Sequence, residues 1–320
     1  MSYIQHYGFD REPFSNAPDS RFYYDSEQHR QALIRLMYAV DSNKGLAVLV
    51  GGVGTGKTTL ARRMLDNLPE SKYESSLLVM VHSGITPEWI LTRIAMQLGV
   101  ESPASDSLNL LKQLYDRLLQ IDEEGRRAVV LIDEAQMLQT RELMEEFRGL
   151  LNLELPGKKL LNIVFFGLPE LENNLQLDEP LAHRVAVKYH LRSLSVGSTE
   201  EYSRHRIQIA GGRGHEEYFT SRAVAAIHGY SAGVPRLINT ICDNCLFETF
   251  MQKKNKVDVE IVKSVAGDLG LLGKPIADLP EEEPEIEKRT EKQPEKQTVV
   301  EPEEDFDEID RMLEGLEQKA

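Results

Sequence analysis

Residues 49–60 read LVGGVGTGKTTL, and within them Gly51 to Thr58 fit the pattern G-x-x-x-x-G-K-[ST]. The pattern has a mechanism. Glycines at 51, 54 and 56 lack a Cβ, so the backbone can wrap closely around a phosphate group and aim its N–H groups inward. The positive end of a following helix adds to the attraction. Gly51, Gly52, Val53, Gly54, Thr55, Gly56, Lys57, Thr58 and Thr59 therefore form a candidate phosphate-binding set. Within it Lys57 is expected to reach the β- and γ-phosphates of ATP, and the Thr58 hydroxyl to ligate Mg²⁺. The flanks agree with this reading: LAVLV (46–50) is a short apolar run of buried-strand type, and a helical stretch follows near 58–67.

Working outward, three more runs resemble buried strands: SLLVMV (76–81), AVVLI (128–132) and LNIVFF (161–166). Helical stretches near 58–67, 87–98, 107–120 and 141–151 separate them, and Leu33, Leu36, Met37 and Val40 mark a further helical stripe over 26–41. Strands alternating with helices predict an α/β fold, a parallel sheet with helices on both faces. From about Ser193 the pattern changes to helical segments alone, near 199–210, 220–228, 234–250 and 257–266. The expected organisation is an α/β nucleotide-binding domain over 1–192, an all-helical subdomain over 193–272, an acidic linker over 273–303 and an amphipathic segment over 304–320.

The run VVLIDEAQ (129–136) supplies the partner of the phosphate loop. A strand ending in Asp133 places a carboxylate where it can hold the magnesium shell, and Glu134 can orient the attacking water or take its proton. Hydrolysis needs both side by side, whereas a pure nucleotide sensor could do without Glu134.

Charge is unevenly distributed. Residues 275–320 hold 17 acidic and 6 basic residues, which leaves 35 of the 52 acidic and 31 of the 37 basic residues in 1–274. A body that is only mildly acidic lacks the basic face of a broad non-specific DNA binder, so DNA is a disfavoured partner. The tail is rich in Glu, Pro and Lys and too poor in apolar surface to fold alone. At its end Phe306, Ile309, Leu313 and Leu316 fall at helical spacing, the pattern of a helix that docks on a protein partner. No run of 18 or more apolar residues occurs and the N-terminus lacks an apolar signal core, so the expected location is cytoplasmic, with any inner-membrane association made through a partner. Cys242 and Cys245, three apart in a helical stretch, are expected to be core residues.

Together the phosphate loop, LIDEAQ, the N-terminal YGFDREPFSNAPDSRFYY, LPELENNL, LAHRVAVKYHL and GYSAGVPRLINTICD resemble the AAA+ ATPases of the general-secretion-pathway A (ExeA-like) group, over roughly residues 3–270. The resemblance implies an α/β domain with a helical lid, and ATP hydrolysis coupled to assembly of a homo-oligomer. It implies that Arg184 in LAHRVAV projects into a neighbouring subunit's site, and that Arg236 in GVPRLIN senses the γ-phosphate from the lid. It also implies that the segment around Pro13 and Phe14 covers the adenine face, although core packing explains Phe14 equally well. Two departures stand out. Where the group carries a polar side chain after its fourth strand, this chain has Leu168, which cannot hydrogen-bond, leaving Asn162 as a candidate substitute. Members of the group continue into a membrane span and a cell-wall-binding domain, where this chain has the acidic tail. The expected function is an ATPase that drives assembly of a secretion, pilus or polysaccharide-export apparatus. The alternatives are a DNA-directed ATPase of the transposition-regulator or replication-initiator type, and a nucleotide-gated scaffold.

Overall fold

The computed structural model describes residues 2–17, 19–81 and 84–271; the tail, including the expected segments 273–303 and 304–320, lies outside the described residues. In chain order the elements are α1 (Tyr3–Tyr7), α2 (Glu27–Asp41), β1 (Leu46–Gly51), α3 (Lys57–Asp66), β2 (Tyr73–Val79), α4 (Pro87–Gln97), α5 (Ser107–Glu123), β3 (Arg127–Asp133) and α6 (Arg141–Leu150). There follow β4 (Glu154–Leu155) and β5 (Lys158–Lys159), which form a small antiparallel ribbon, then β6 (Leu161–Gly167), α7 (Glu170–Leu175), α8 (Glu179–Ala182) and β7 (Val185–Leu191). Helices α9 (Val196–Ile209), α10 (Ser221–Ser231), α11 (Pro235–Met251) and α12 (Val259–Asp268) complete the described chain.

The main sheet is five-stranded, ordered β2-β3-β6-β1-β7, and all its pairings are parallel. Its interior strands are buried along almost their whole length and mostly apolar, because each face meets helices. The period of two is explicit in β1: Leu46, Val48 and Val50 join the core beneath α4, α5 and α6, while Ala47 and Leu49 join the core beneath α2 and α3. Strands β3 and β6 divide their side chains in the same way, Val130 and Phe165 to one side, Leu131 and Phe166 to the other.

The strand β7 is one that four continuous apolar runs do not reveal. It pairs only with β1, and its residues alternate between half-buried and exposed, with Lys188 and His190 facing solvent. An edge strand with one wet face needs apolar residues only at every second position, so VAVKYHL carries no continuous run.

The C-terminal helices pack around a separate core of Ile207, Ile227, Ile238, Ile241, Val262 and Ala266, with Cys242 and Cys245 fully buried in it. Burial raises the pKa of both thiols, as expected for core residues rather than redox or metal groups. The N-terminal segment joins this core and not the sheet: Phe9, Phe14 and Phe22 are buried among the helices, and Phe14 meets Phe219 edge-on at 6.1 Å. A boundary at 192/193 therefore groups with the sheet a segment whose apolar side chains belong with α9–α12. Phe14 is 1% exposed, which corrects its expected adenine-covering role to core packing.

Arg206 holds that segment in place. Its guanidinium donates to the carbonyls of Pro13 at 2.6 Å and Ser15 at 2.8 Å and to the Tyr202 hydroxyl at 2.9 Å, and stacks over Phe22 at 4.5 Å. Carbonyl oxygens and an aromatic face take the place of water around a buried cation.

His215 gives this helical region a pH dependence. The ring is 3% exposed, stacks on Phe219 at 5.0 Å, and its Nε2 is buried without a hydrogen-bond partner. Burial disfavours the imidazolium and moves its pKa from 6.5 to about 4. The unfolded chain thus binds a proton between those values that the folded chain refuses. This stabilising contribution is complete above pH 6.5 and is lost as pH falls toward 4. The loss approaches about 3 kcal/mol, taking ~1.4 kcal/mol per pKa unit. Denaturant unfolding of wild type and His215→Phe between pH 7 and 4 checks it. The variant should show a shallower decline, and parallel declines would refute the assignment.

Candidate functional site

The two sequence signals meet at the carboxyl end of the sheet. Strands β1 and β3 both pair with β6, Val50 opposite Gly167 and Ile132 opposite Phe165. With strands spaced ~4.8 Å apart, the ends of β1 and β3 lie about 10 Å apart across β6. Into this gap, where open α/β sheets bind their ligands, the phosphate loop and the Asp133–Glu134 pair project.

The loop is shaped by its glycines. Gly54 and Gly56 have φ of +77° and +102°, the left-handed region that β-carbons disfavour. A Cβ on Gly54 would fall 2.7 Å from the Arg236 Cβ, and one on Gly56 would fall 2.8 Å from the His29 Nε2. Thr55 closes the turn, its hydroxyl donating to the Gly52 carbonyl at 2.9 Å. His29 supports the loop from below: its Nδ1 is 2.6 Å from the Ser26 hydroxyl and its Nε2 is 3.3 Å from the Thr55 carbonyl. An Nε2–H tautomer satisfies both contacts, and burial keeps the ring neutral by lowering its pKa.

Among the described α-helices, α3, α7 and α11 alone begin without a side-chain cap. The others are capped by side chains such as Ser26, Thr86, Asp106 and Thr140. A cap on α3 would consume the N–H groups that an anion needs; Gly56 at that position leaves them free. The start of α11 lies against the loop, where the Arg236 N–H donates to the Gly54 carbonyl at 3.3 Å. The turn that delivers it uses Gly233 at φ +69°, where a Cβ would fall 2.0 Å from the Leu194 carbonyl oxygen. The structure thus brings Arg236 to the phosphate loop from a distant segment.

Lys57 is 6% exposed and its Nζ donates to the Gly52 carbonyl at 3.0 Å. Burial lowers its pKa, opposed by the carboxylates of Glu134, Asp133 and Glu170, so three acidic groups surround the ammonium. Asp133 is 1% exposed. Burial raises its pKa, opposed by hydrogen bonding from the Thr58 hydroxyl and the Glu134 N–H. Its Oδ1 accepts from that N–H at 3.0 Å, while its Oδ2 is buried and has no hydrogen-bond partner. A buried, unsatisfied carboxylate oxygen beside a threonine hydroxyl fits a hard divalent cation such as Mg²⁺. Mg²⁺ is ordinarily held by one or two carboxylates, with water and phosphate oxygens filling its other positions, so this donor set suits it.

Glu134 stands at φ +55°, ψ +35°, a strained conformation for a residue with a β-carbon. Its Oε2 accepts a hydrogen bond from Gln136 Nε2 at 2.5 Å. Gln136 was visible in LIDEAQ, but its only signal is a polar residue two positions past the carboxylate, in a stretch that is otherwise apolar.

Asn162 is placed at the wrong end of the sheet. It is 2% exposed and bonds to the Gly45 N–H and the Asn43 side chain, before the start of β1. Five residues of strand, at ~3.3 Å each, separate it from Gly167. It therefore cannot substitute for the polar group missing at Leu168. Arg184 is likewise remote from the loop of its own chain, since it precedes Val185, which pairs with Leu46 at the amino end of β1. Its guanidinium donates to the Arg148 carbonyl at 3.1 Å.

Residues 40–175 match the model of a family described as an AAA domain. Over 283 residues the chain is 36% identical to the general secretion pathway protein A of Aeromonas hydrophila, an alignment covering 88% of this chain and 49% of that protein. The chain therefore spans about half the length of this relative. Among solved structures, the ORC2 protein of Aeropyrum pernix in its ADPNP–ADP complexes is similar with a TM-score of 0.60 at 17% identity, covering 81% of this chain and 72% of that chain. A structure of Drosophila ORC bound to DNA has a TM-score of 0.60 at 18% identity, covering 84% and 66%. At such identities the likeness carries the fold and not the ligand.

Proposed function

We propose that this chain, which belongs to the AAA+ ATPases and is related to general secretion pathway protein A, binds ATP with Mg²⁺, hydrolyses it as a homo-oligomer, and couples that cycle to assembly of a secretion, pilus or polysaccharide-export apparatus. The observation that carries the hydrolytic part is the convergence of Lys57, the unpartnered Oδ2 of Asp133 and the Glu134 carboxylate at the carboxyl end of the sheet, with Arg236 laid on Gly54 from α11. In this reading the loop N–H groups and Lys57 bind the phosphates, and Thr58 and Asp133 hold the cation. Bound there, Mg²⁺ neutralises charge that develops on the phosphoryl oxygens. Glu134 takes a proton from the attacking water, and Arg236 reports the γ-phosphate to the helical lid. Arg184 completes the site of a neighbouring copy.

The assembly role rests on the relationship to general secretion pathway protein A. Among the described residues no helix is long and apolar enough to cross a membrane. In this reading the chain works from the cytoplasm and meets the inner membrane through a partner.

Purified chain should release phosphate from ATP in a Mg²⁺-dependent reaction whose specific activity rises with protein concentration as copies associate. Duplex DNA should leave the rate unchanged. Strong stimulation by DNA that fades steeply with salt would shift the reading to a DNA-directed ATPase. Absence of phosphate release at every concentration would leave a nucleotide-binding scaffold and end the hydrolytic reading.

A further inference from the structure

Gln136 is 6% exposed, and both ends of its side-chain amide are committed. Nε2 donates to the Glu134 Oε2 at 2.5 Å, and Oε1 accepts from the Leu168 N–H at 3.0 Å. A carboxylate can only accept and a backbone N–H can only donate, so a single orientation of the amide satisfies both partners. The residue is itself anchored, because its main-chain carbonyl accepts from the Asn174 Nδ2 at 2.9 Å. Gly167, the last residue of β6, gives it room: a Cβ there would fall 3.1 Å from the Gln136 Oε1 and 3.2 Å from its backbone nitrogen. The amide thus links the turn after β3 to the end of β6, at the carboxyl end of the sheet where the phosphate loop and the Asp133–Glu134 pair project.

We propose that Gln136 is the positioning residue of the hydrolytic step, fixing the Glu134 carboxylate against the end of β6 so that Oε1 is left to the attacking water. This rests on the ATPase reading. Leu168 supplies a backbone N–H but no polar side chain at the end of β6, and Gln136 carries a polar group there from the turn that follows β3. A glutamate side chain freed of this bond would regain its rotamer freedom, which must be lost again at each turnover. Misplacing a reacting group by on the order of 1 Å costs up to ~100-fold in rate.

The test is steady-state ATP turnover of the full chain, with nucleotide affinity measured separately. Gln136→Met keeps the side-chain length and removes both hydrogen bonds; kcat should fall ~10- to 100-fold while the Kd for ATP stays within about threefold. Gln136→Glu is nearly isosteric and keeps an acceptor for the Leu168 N–H, but it replaces the amide that donates to Glu134 with a second acceptor, so kcat should fall as far as in Gln136→Met. A residue that merely supported the fold would tolerate this isosteric change with kcat intact. In the Glu134→Gln background, Gln136→Met should cost no further activity, because the two act as one unit. The inference is overturned if Gln136→Met retains wild-type kcat, if Gln136→Glu does so, or if the losses of the double variant multiply. Wild-type chain that turns over no ATP is a different result: it removes the ATPase reading first, and this one with it.

Discussion

Glu134→Gln is expected to lower ATP turnover by about a thousandfold, within the ~10²–10⁴ range of a positioned general base, while leaving ATP bound. The substitution is clean in this setting. The new amide has nearly the shape of the carboxylate, and its oxygen still accepts the hydrogen bond that Gln136 Nε2 gives to the Glu134 Oε2 at 2.5 Å. The backbone at φ +55° does not depend on the charge of the side chain. Lys57 remains on the Gly52 carbonyl and Asp133 remains beside Thr58, so the groups expected to hold phosphate and cation are untouched. What disappears is the ability to accept a proton, which an amide lacks at any ordinary pH. Phosphate release and fluorescent-nucleotide binding, measured on the same preparation, separate the two effects. Turnover within tenfold of wild type would show that another group takes the proton, and the assignment of Glu134 would be wrong.

Much of this site was legible because its parts are local. The loop from Gly51 to Thr58 requires glycine at specific places, and a strand before it and a helix after it; all three signals lie within about twenty residues. Asp133 and Glu134 were legible for the same reason, as a fully buried run that ends in two charges. The parts that escaped are those settled by distant partners. That Gln136 spans from Glu134 to Leu168 depends on β3 lying beside β6, and no local spacing encodes that. Arg206 and its acceptors Pro13 and Ser15 are more than 190 residues apart, so the packing of the N-terminal segment with the C-terminal helices left no local trace. The place of Asn162, by contrast, is local: it is the second residue of its run, and in a parallel sheet every strand begins at the end opposite the phosphate loop. The edge strand β7 carries no continuous apolar run, because Lys188 and His190 alternate onto its wet face.

The other large effect is expected at Arg184, which the strand register holds away from the phosphate loop of its own chain. Val185 pairs with Leu46 and Leu191 pairs with Gly51, so six residues of parallel strand separate Arg184's end of β7 from the phosphate loop. At ~3.3 Å per residue that is about 20 Å, beyond the reach of any side chain. If Arg184 stabilises a transferring phosphoryl group, it must be the group bound to another copy. It is set for such a role by its neighbours. Its guanidinium donates to the main-chain carbonyl of Arg148, and Arg148 is fixed through Asp178, a nearly buried carboxylate 3.0 Å from its Nε. Arg184→Ala should therefore reduce turnover by about a thousandfold, the low end of what such an arginine contributes, without altering ATP affinity in the isolated chain. Mixing distinguishes action between copies from action within one. In an equimolar mixture with Glu134→Gln, each interface that joins the intact Glu134 of one variant to the intact Arg184 of the other is wild type. Random head-to-tail association makes that about one interface in four, so activity should return to roughly a quarter of wild type although each variant alone is inactive. If Arg184 acted within its own chain, every subunit in the mixture would lack one essential group and no activity would return.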